Sequence, residues 1–570
     1  MTEKIWKYKN SKIPAGKAED ISKRLSVPKI IVTILLNREI QETDIEPFLK
    51  KSLKSVINPM LLPDMDKAAE RILSAADKGE KITVYGDYDV DGITAAALLY
   101  DFLCSIGANV QYYIPDRRDE GYGINIMAVN KLLKSGTKLL VTVDCGITAK
   151  GEVSFAKLQG MDVIITDHHT CPESLPSDAA AVVNPKIPDC GYPFDALAGV
   201  GVAFKLALAI SIKKGINTTA CFNRYADLAA IGTIADVVSL TGENRVIVDR
   251  GLKLLATPRR PGLKALFEVA GILGKPVTST SIAYNAAPRL NAAGRIGSAK
   301  TSVELLLTND EAKAKEIAEA LNEINRERQA TEQQIFSEAL KLTEKDADFS
   351  KKKVIVLASE SWHNGVIGIV ASKLCERFYR PCILISLSDG IGKGSGRSIP
   401  EFNLFDALDE CKELLTEFGG HSAAAGLNIN ESDIDEFSKK INKYADKALA
   451  DKTLLPSVNI DCEINAEDLT LENAYMLERL EPFGMGNEKP LFSISAMTVT
   501  AIYAVGAEKK HLRLQLAKNN IYIYAIAFGM GELADVYKIS DTVDAAFELN
   551  INRFQGQESV QLIIKDLKRN

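Results

Sequence analysis

The stretch Val84-Tyr85-Gly86-Asp87-Tyr88-Asp89-Val90-Asp91-Gly92 decides how the rest of the chain is read. It follows the β-branched run Ile82-Thr83-Val84 and leads into Ile93-Thr94-Ala95-Ala96-Ala97-Leu98-Leu99, whose apolar spacing predicts a buried helix face. Carboxylates at every second position thus sit where a strand hands over to a helix. Ionised carboxylates this close repel one another, so the cluster is costly unless a cation neutralises it. For a lone Asp-x-Asp a solvated acidic turn, with Gly86 and Gly92 as turn residues, is the preferred reading. The next two strands change the balance. Leu139-Leu140-Val141-Thr142-Val143 runs into Asp144-Cys145-Gly146, and Val163-Ile164-Ile165-Thr166 into Asp167-His168-His169. Apolar runs that each end in acid or imidazole are what a parallel α/β sheet gives when ligands gather beyond the carboxyl ends of its strands. Hard oxygen ligands suit Mg²⁺ and Mn²⁺, and a mixed carboxylate and imidazole set suits Mn²⁺. We read these residues as a metal centre.

At 570 residues the chain is too long for one ordinary domain, and three or four are expected. No apolar run approaches the length needed to cross a bilayer, and Met1-Thr2-Glu3-Lys4-Ile5-Trp6-Lys7 has no signal-peptide pattern. The cysteines are scattered without a Cys-x-x-Cys pair, so buried thiols in a reducing cytoplasm are expected rather than disulfides or a zinc site. A net charge of -6 argues against a general nucleic-acid coat but leaves room for a groove with local Arg and Lys.

Residues 1–60 read as a helical segment, with Ile30, Ile31, Ile34 and Leu35 as apolar positions. From 61 to 300 strand and helix alternate, the mark of a doubly wound sheet. Gly199-Val200-Gly201 is not a dinucleotide fingerprint, because Phe204 holds the third glycine position and no clear strand precedes it. Asp236 lies in the apolar stretch Leu228–Val238, where a buried acid either caps a helix or binds something, and a fourth metal ligand is the preferred reading. Ala286–Arg295 reads as a loop whose arginines, Arg289 and Arg295, suit phosphate contact, but on these residues alone a surface turn with salt bridges is the favoured reading. Residues 301–346 contain a connector helix, since neither Gly nor Pro interrupts Thr308–Asp346. A second, smaller α/β domain is expected at 347–452. In it, Gly392-Lys393-Gly394-Ser395-Gly396-Arg397-Ser398 has a composition fit to wrap a phosphate with backbone N–H groups, and glycines flank His421. Residues 453–570 carry short strands without intervening helices, an OB-like β-barrel of the kind that binds single strands by base stacking. Tyr503, Tyr522, Tyr524 and Phe554 are each expected in its core rather than on such a platform. The segment is acidic, with 16 Asp and Glu against 11 Lys and Arg, which gives no support to nucleic-acid binding.

Asp87-Tyr88-Asp89-Val90-Asp91-Gly92, Val143-Asp144-Cys145-Gly146, Asp167-His168-His169 and Ala235-Asp236 together resemble the motifs of the DHH phosphoesterase superfamily. Arg117 with Glu120-Gly121-Tyr122-Gly123, Pro288-Arg289-Leu290-Asn291, Gly394-Ser395-Gly396-Arg397-Ser398, Gly419-Gly420-His421 and Pro482-Phe483-Gly484-Met485-Gly486-Asn487 are similar to its bacterial branch of single-strand-specific DNA exonucleases. The chain departs from that pattern at Cys145, where Asn is common, at Asn364, where Pro is, and at Gly396, where Ala is. The resemblance implies a 5′-to-3′ exonuclease that releases 5′-mononucleotides from single-stranded DNA in repair and recombination, using two divalent cations, Mn²⁺ or Mg²⁺. It assigns Asp87, Asp89, Asp91, Asp144, His168 and Asp236 to the cations, with Asp144 as a bridge. His169 would face the scissile phosphate, Arg289 and His421 would line the site, and Arg117, Ser395 and Arg397 would hold the 5′ end. A helicase and a single-strand-binding protein are implied as partners, and a monomer is expected. Two alternatives stand beside this reading: a DHH phosphodiesterase for short oligonucleotides or cyclic dinucleotides, and an inactive DNA-binding scaffold.

Overall fold

Ile82-Thr83-Val84-Tyr85 forms a strand with every residue buried, as an apolar run covered on both faces must be. In the computed structural model, whose described residues are 4–9, 13–14, 16–116, 120–121 and 123–569, this strand belongs to a five-stranded parallel sheet. The spatial order is Val110–Tyr113, Ile82–Tyr85, Leu139–Val143, Asp162–Thr166, Ala181–Val183. Helices Met65–Asp77, Val90–Ser105 and Gly199–Lys214 cover one face. Helices Ile126–Lys134 and Lys150–Leu158 pack their buried Val129, Leu132 and Val153 on the other. The expected doubly wound sheet is present. Its winding reverses between Ile82–Tyr85 and Leu139–Val143, the switch point at which such sheets open a crevice beyond the strand ends. Asp87 and Asp144 follow those two strands.

The chain divides into two compact units. One comprises Lys4–Ala287, Leu306–Asn309 and Ser457–Asn570; the other contains Pro288–Leu305 and Asp310–Pro456. The expected loop carrying Arg289 and Arg295 is instead the helix Ala287–Ile296. The long helix Glu311–Lys345 starts at Asp310, whose side chain accepts from the Ala312 and Lys313 N–H groups. Its Ile335 and Ala339 enter the core of a five-stranded sheet ordered Leu415–Gly420, Ala424–Asn430, Ile391–Arg397, Cys382–Ser388, Ile355–Ser359.

The glycine-rich segment expected to cradle phosphate with its backbone is the central strand of that sheet. Its N–H groups are committed to ladders on both sides. Gly392, Gly394 and Gly396 are small because a Cβ would press on Ile385, Leu427 and Leu404 respectively. Lys393, Ser395 and Arg397 alternate onto the opposite face.

Residues 492–569 close into a barrel: Phe492–Val505, His511–Lys518, Ile521–Ala527, Gln557–Arg569 and Thr542–Phe554, the last pairing back onto the first. Alternation buries Leu512, Leu514 and Leu516 and turns Tyr503, Tyr522 and Tyr524 outward, with exposures of 62%, 62% and 50%. Phe554 is exposed as well. The expectation that these aromatics are core residues is therefore corrected; strand parity assigns them to the outer surface.

The N-terminal helices share the barrel's core, with Ile31, Ile34 and Leu35 in one apolar cluster with Phe492, Leu512 and Phe547. Strand Ile5–Tyr8 pairs in parallel with Ser457–Ile460. Arg38 seals the junction, its Nε and Nη2 reaching the two carboxylate oxygens of buried Asp461 at 2.8 and 3.0 Å, and its Nη1 the Asn487 side chain. Removing Arg38 would leave buried Asp461 with Lys9 Nζ at 3.6 Å and the Leu491 N–H as partners, so the cost falls at the lower end of the about 3–5 kcal/mol of a broken buried pair. Arg38→Ala is expected to lower unfolding free energy by that order in urea titrations, whereas exposed Lys23→Ala, which breaks an i,i+4 surface pair with Glu19, should leave it nearly unchanged.

Candidate metal centre

The carboxylates arrive by backbone devices that bring charge into a small space. Asp89 caps helix Val90–Ser105, its side chain accepting from Gly92 N–H at 3.0 Å. Gly92 has no room for a Cβ, which would lie 2.6–2.7 Å from the Asp87 backbone. Asp91, in the first helical turn, is buried and accepts from Gly199 N–H at 2.6 Å and Val200 N–H at 2.8 Å. The glycine pair that failed as a nucleotide fingerprint is thus the start of helix Gly199–Lys214, aiming its positive end at a carboxylate. A Cβ on Gly199 would overlap Asp144, and one on Gly232 would overlap Thr94 and crowd Val200 and Asp91. These small residues escaped the sequence reading as site components, although two glycines inside apolar helices were a visible signal.

Asp144 follows its strand in the left-handed region, φ 64°, an uncommon conformation that places the carboxylate at the strand end. Asp236 ends helix Thr218–Ala235, so its charge sits at the negative pole of a helix dipole, the reverse of a stabilising cap. Between them His168 Nε2 lies 3.1 Å from Asp144 Oδ1, 3.7 Å from Asp236 Oδ2 and 3.9 Å from Asp91 Oδ2. Asp144 Oδ1, Asp236 Oδ2 and His168 Nε2 are buried without a hydrogen bond. Three groups have ligand atoms within 4.8 Å of one another: Asp87, Asp89 and Asp144; Asp91, His168 and Asp236; and Asp144, His168 and His169. The residues suggested from sequence as cation ligands therefore all gather here.

Burial and the neighbouring carboxylates raise the pKa of Asp91 and of Asp144 far above the usual range, and burial with the Asp89 charge lifts Asp236 to about 7. Burial and the adjacent His169 depress His168 to about 3, leaving a neutral imidazole at ordinary pH. Crowded oxygens that resist ionisation, orphaned buried acceptors and a neutral imidazole are a donor set matched to divalent cations of the Mn²⁺ and Mg²⁺ kind.

His169 differs from its neighbour. Its Nδ1 lies 2.7 Å from Asp167 Oδ1, and this bond and charge outweigh burial and raise its pKa. Asp167 also accepts from the N–H groups of His168, His169 and Ile147, so it orients the turn; the sequence had marked only its motif, without a role. Arg289, Ser395, Arg397 and His421 belong to the other unit. Arg289 is half-buried, its Nε donating to Asn322 at 2.9 Å. Arg397 donates to Ser395 Oγ at 3.1 Å, both lying against helix Asn364–Phe378 where Gly368 makes room. His421 is exposed in the turn between Leu415–Gly420 and Ala424–Asn430, its N–H bonded to Ala424 O. Arg117 lies outside the described residues.

Clustered carboxylates and imidazole at the switch point of a doubly wound sheet, followed by a second α/β domain and a barrel, define a phosphoesterase of the DHH type. The model for the DHH family N-terminal domain matches residues 81–233, that for the DHHA1 domain 351–447 and that for the RecJ OB domain 460–566. The chain is 38% identical to the single-stranded-DNA-specific exonuclease RecJ of Bacillus subtilis (strain 168), over 96% of this chain and 69% of that one. It is 36% identical to RecJ of Haemophilus influenzae, over 90% of this chain and 92% of that one. The crystal structure of RecJ in complex with Mn²⁺ from Thermus thermophilus superposes with a TM-score of 0.85 at 31% identity, covering 99% of this chain and 80% of that one. The chain belongs to the RecJ family.

An acid with a raised pKa keeps its proton longer folded than unfolded, so its share of stability is complete near pH 4 and is lost as pH rises through about 7. Metal-free protein should therefore lose stability between those limits, and Mn²⁺ should reverse the trend, because it binds only the native, deprotonated cluster. Melting curves at stepped pH with chelator or with Mn²⁺ check both slopes.

Proposed function

We propose that the chain is a single-stranded-DNA-specific exonuclease acting 5′ to 3′, with Mn²⁺ or Mg²⁺ held by Asp87, Asp89, Asp91, Asp144, His168 and Asp236. The observation that carries the reading is the set of buried, unbonded atoms Asp144 Oδ1, His168 Nε2 and Asp236 Oδ2 at the sheet's switch point. Bound cations would supply Lewis-acid activation of water and charge neutralisation at the phosphate. The rest falls to side chains. Asp167 holds the His169 ring and favours its protonated form, a donor to a phosphoryl oxygen. Arg289 and His421 contribute positive charge and a ring donor or acceptor toward the DNA, and Arg397 with Ser395 accepts the 5′ phosphate. Arg117 is proposed for the same terminus.

The barrel supplies the preference for a long strand. Tyr503, Tyr522 and Tyr524 are exposed, and Arg513 lies 5.2 Å over the Tyr524 ring, an aromatic and cationic surface suited to stacked bases. The exposed aromatics offset the segment's acidity, which argues against simple charge attraction. The reading includes a cytoplasmic monomer working in repair and recombination beside a helicase and a single-strand-binding protein. Among the described residues no helix is long and apolar enough to cross a membrane.

Asp144→Asn should abolish release of 5′-mononucleotides from a 5′-phosphorylated oligomer, a loss of at least about 10³-fold, with the fold retained by circular dichroism. Undiminished turnover would remove the metal assignment. Stacking is worth about 1–3 kcal/mol per base, so Tyr522→Ala with Tyr524→Ala should raise KM for a strand of about 30 nucleotides roughly tenfold or more and leave dinucleotide cleavage unchanged. Equal effects on both substrates would favour the short-oligonucleotide alternative.

A further inference from the structure

The segment Pro482-Phe483-Gly484-Met485-Gly486-Asn487 precedes the first barrel strand and has no part in the chemistry above. It folds as a tight turn, Gly484 and Asn487 exchanging backbone hydrogen bonds at 3.0 and 3.1 Å. Asn487 is buried and its side chain donates to Leu480 O and Pro482 O while accepting from Arg38. Buried Arg245 adds a bond to Leu480 O at 2.8 Å, and Ser279 donates to Phe483 O. The turn is therefore braced from several sides.

Its outer edge rests on the residues that follow Asp236. Leu240 N–H donates to Met485 O at 2.8 Å. A Cβ on Gly486, which has φ +69°, would overlap Ser239 Oγ, and one on Gly484 would lie 2.6 Å from Leu240 Cδ1. Between this contact and Asp236 stands Val237, a β-branched residue at φ 62° that is 60% exposed. A β-branched side chain in the left-handed region is strained and persists only where its surroundings over-determine it. On one side the helix Thr218–Ala235 fixes Asp236; on the other, the turn fixes Ser239 and Leu240.

We propose that the 482–487 turn is a positioning element for the metal centre. Gly484 and Gly486 let it lock Ser239–Leu240, which holds Val237 in its strained conformation and the Asp236 carboxylate toward His168. The barrel's leading segment is thereby tied mechanically to a cation ligand. This rests on the reading of Asp236 as a ligand.

The test is Mn²⁺ binding to the full chain by titration calorimetry, alongside the melting temperature in chelator. Gly486→Ala should weaken Mn²⁺ binding about tenfold, and Ser239→Ala in the same chain should recover the part due to the overlapped oxygen, the strain of an Ala at φ +69° remaining; Ser239→Ala alone should bind as the parent does. If Gly486→Ala does not fold, Ser239→Val carries the test, pressing on the turn from the other side with the same expected loss. Asp236→Ala separates the two levels. If it weakens Mn²⁺ binding while Gly486→Ala and Ser239→Val bind normally, or lose only melting temperature, the positioning role is overturned. If Asp236→Ala itself binds Mn²⁺ as the parent does, the ligand reading fails and the proposal with it. A double variant that recovers nothing would overturn the steric account.

Discussion

Like charge buried in a small volume is the condition that the Lys4–Ala287 segment is built to tolerate. Asp87, Asp91 and Asp144 are buried, and Asp144 and Asp236 share His168 as a neighbour. Carboxylates at such separations in a poorly screened interior disfavour each other's ionisation, which adds to burial in raising the pKa values of Asp91, Asp144 and Asp236. Three features make the crowding sterically and electrically possible. Gly92, Gly199 and Gly232 vacate the space in which a Cβ would stand. The first N–H groups of helix Gly199–Lys214 meet Asp91. The third is the neutral ring of His168, which places no competing positive charge where a cation would sit.

The same constraint separates two adjacent histidines. Their rings are 4.5 Å apart, yet burial drives one down while a carboxylate partner draws the other up. Asp167 makes the difference by accepting from the His169 ring and from three backbone N–H groups, which also holds its own pKa below the usual range despite burial. One short turn thus presents one ring held neutral and a second whose protonation is favoured.

Legibility in the sequence followed from how local each signal was. Leu139–Val143 and its acid could be read because an apolar run and its terminal ligand are contiguous. The edge strands Val110–Tyr113 and Ala181–Val183 escaped notice because one is only half-buried and the other has three residues. Val543, Ala545, Phe547, Leu549 and Ile551 of Thr542–Phe554 alternate into the barrel core, but the signal is blurred at Ala546, an outward position that is itself buried beside Val458 and Ile460. The union of the N-terminal helices with the barrel had no local trace at all. Arg38 and Asp461 are separated by 423 residues, and each looks like an ordinary surface charge until paired. The clustered carboxylates and His168 could be listed, but the glycines that make their approach possible could not be told from flexible turn glycines.

That ambiguity of glycine is clearest at Gly392, Gly394 and Gly396. Small and flexible are the same letter, and a run of glycine with Ser, Lys and Arg suggested a loop wrapping an anion with its backbone. In a central strand the backbone is already spent on two ladders, so any anion on that face must be met by side chains. Arg397 and Ser395 are already mutually bonded and seated against the helix at Gly368, which restricts both rotamers. A guanidinium held on a strand by its own neighbours is more precisely placed than one on a mobile loop, and it loses less conformational freedom on contact with a phosphate. Rigid placement, rather than a pliant cradle, is what this sheet offers to an anion on that face.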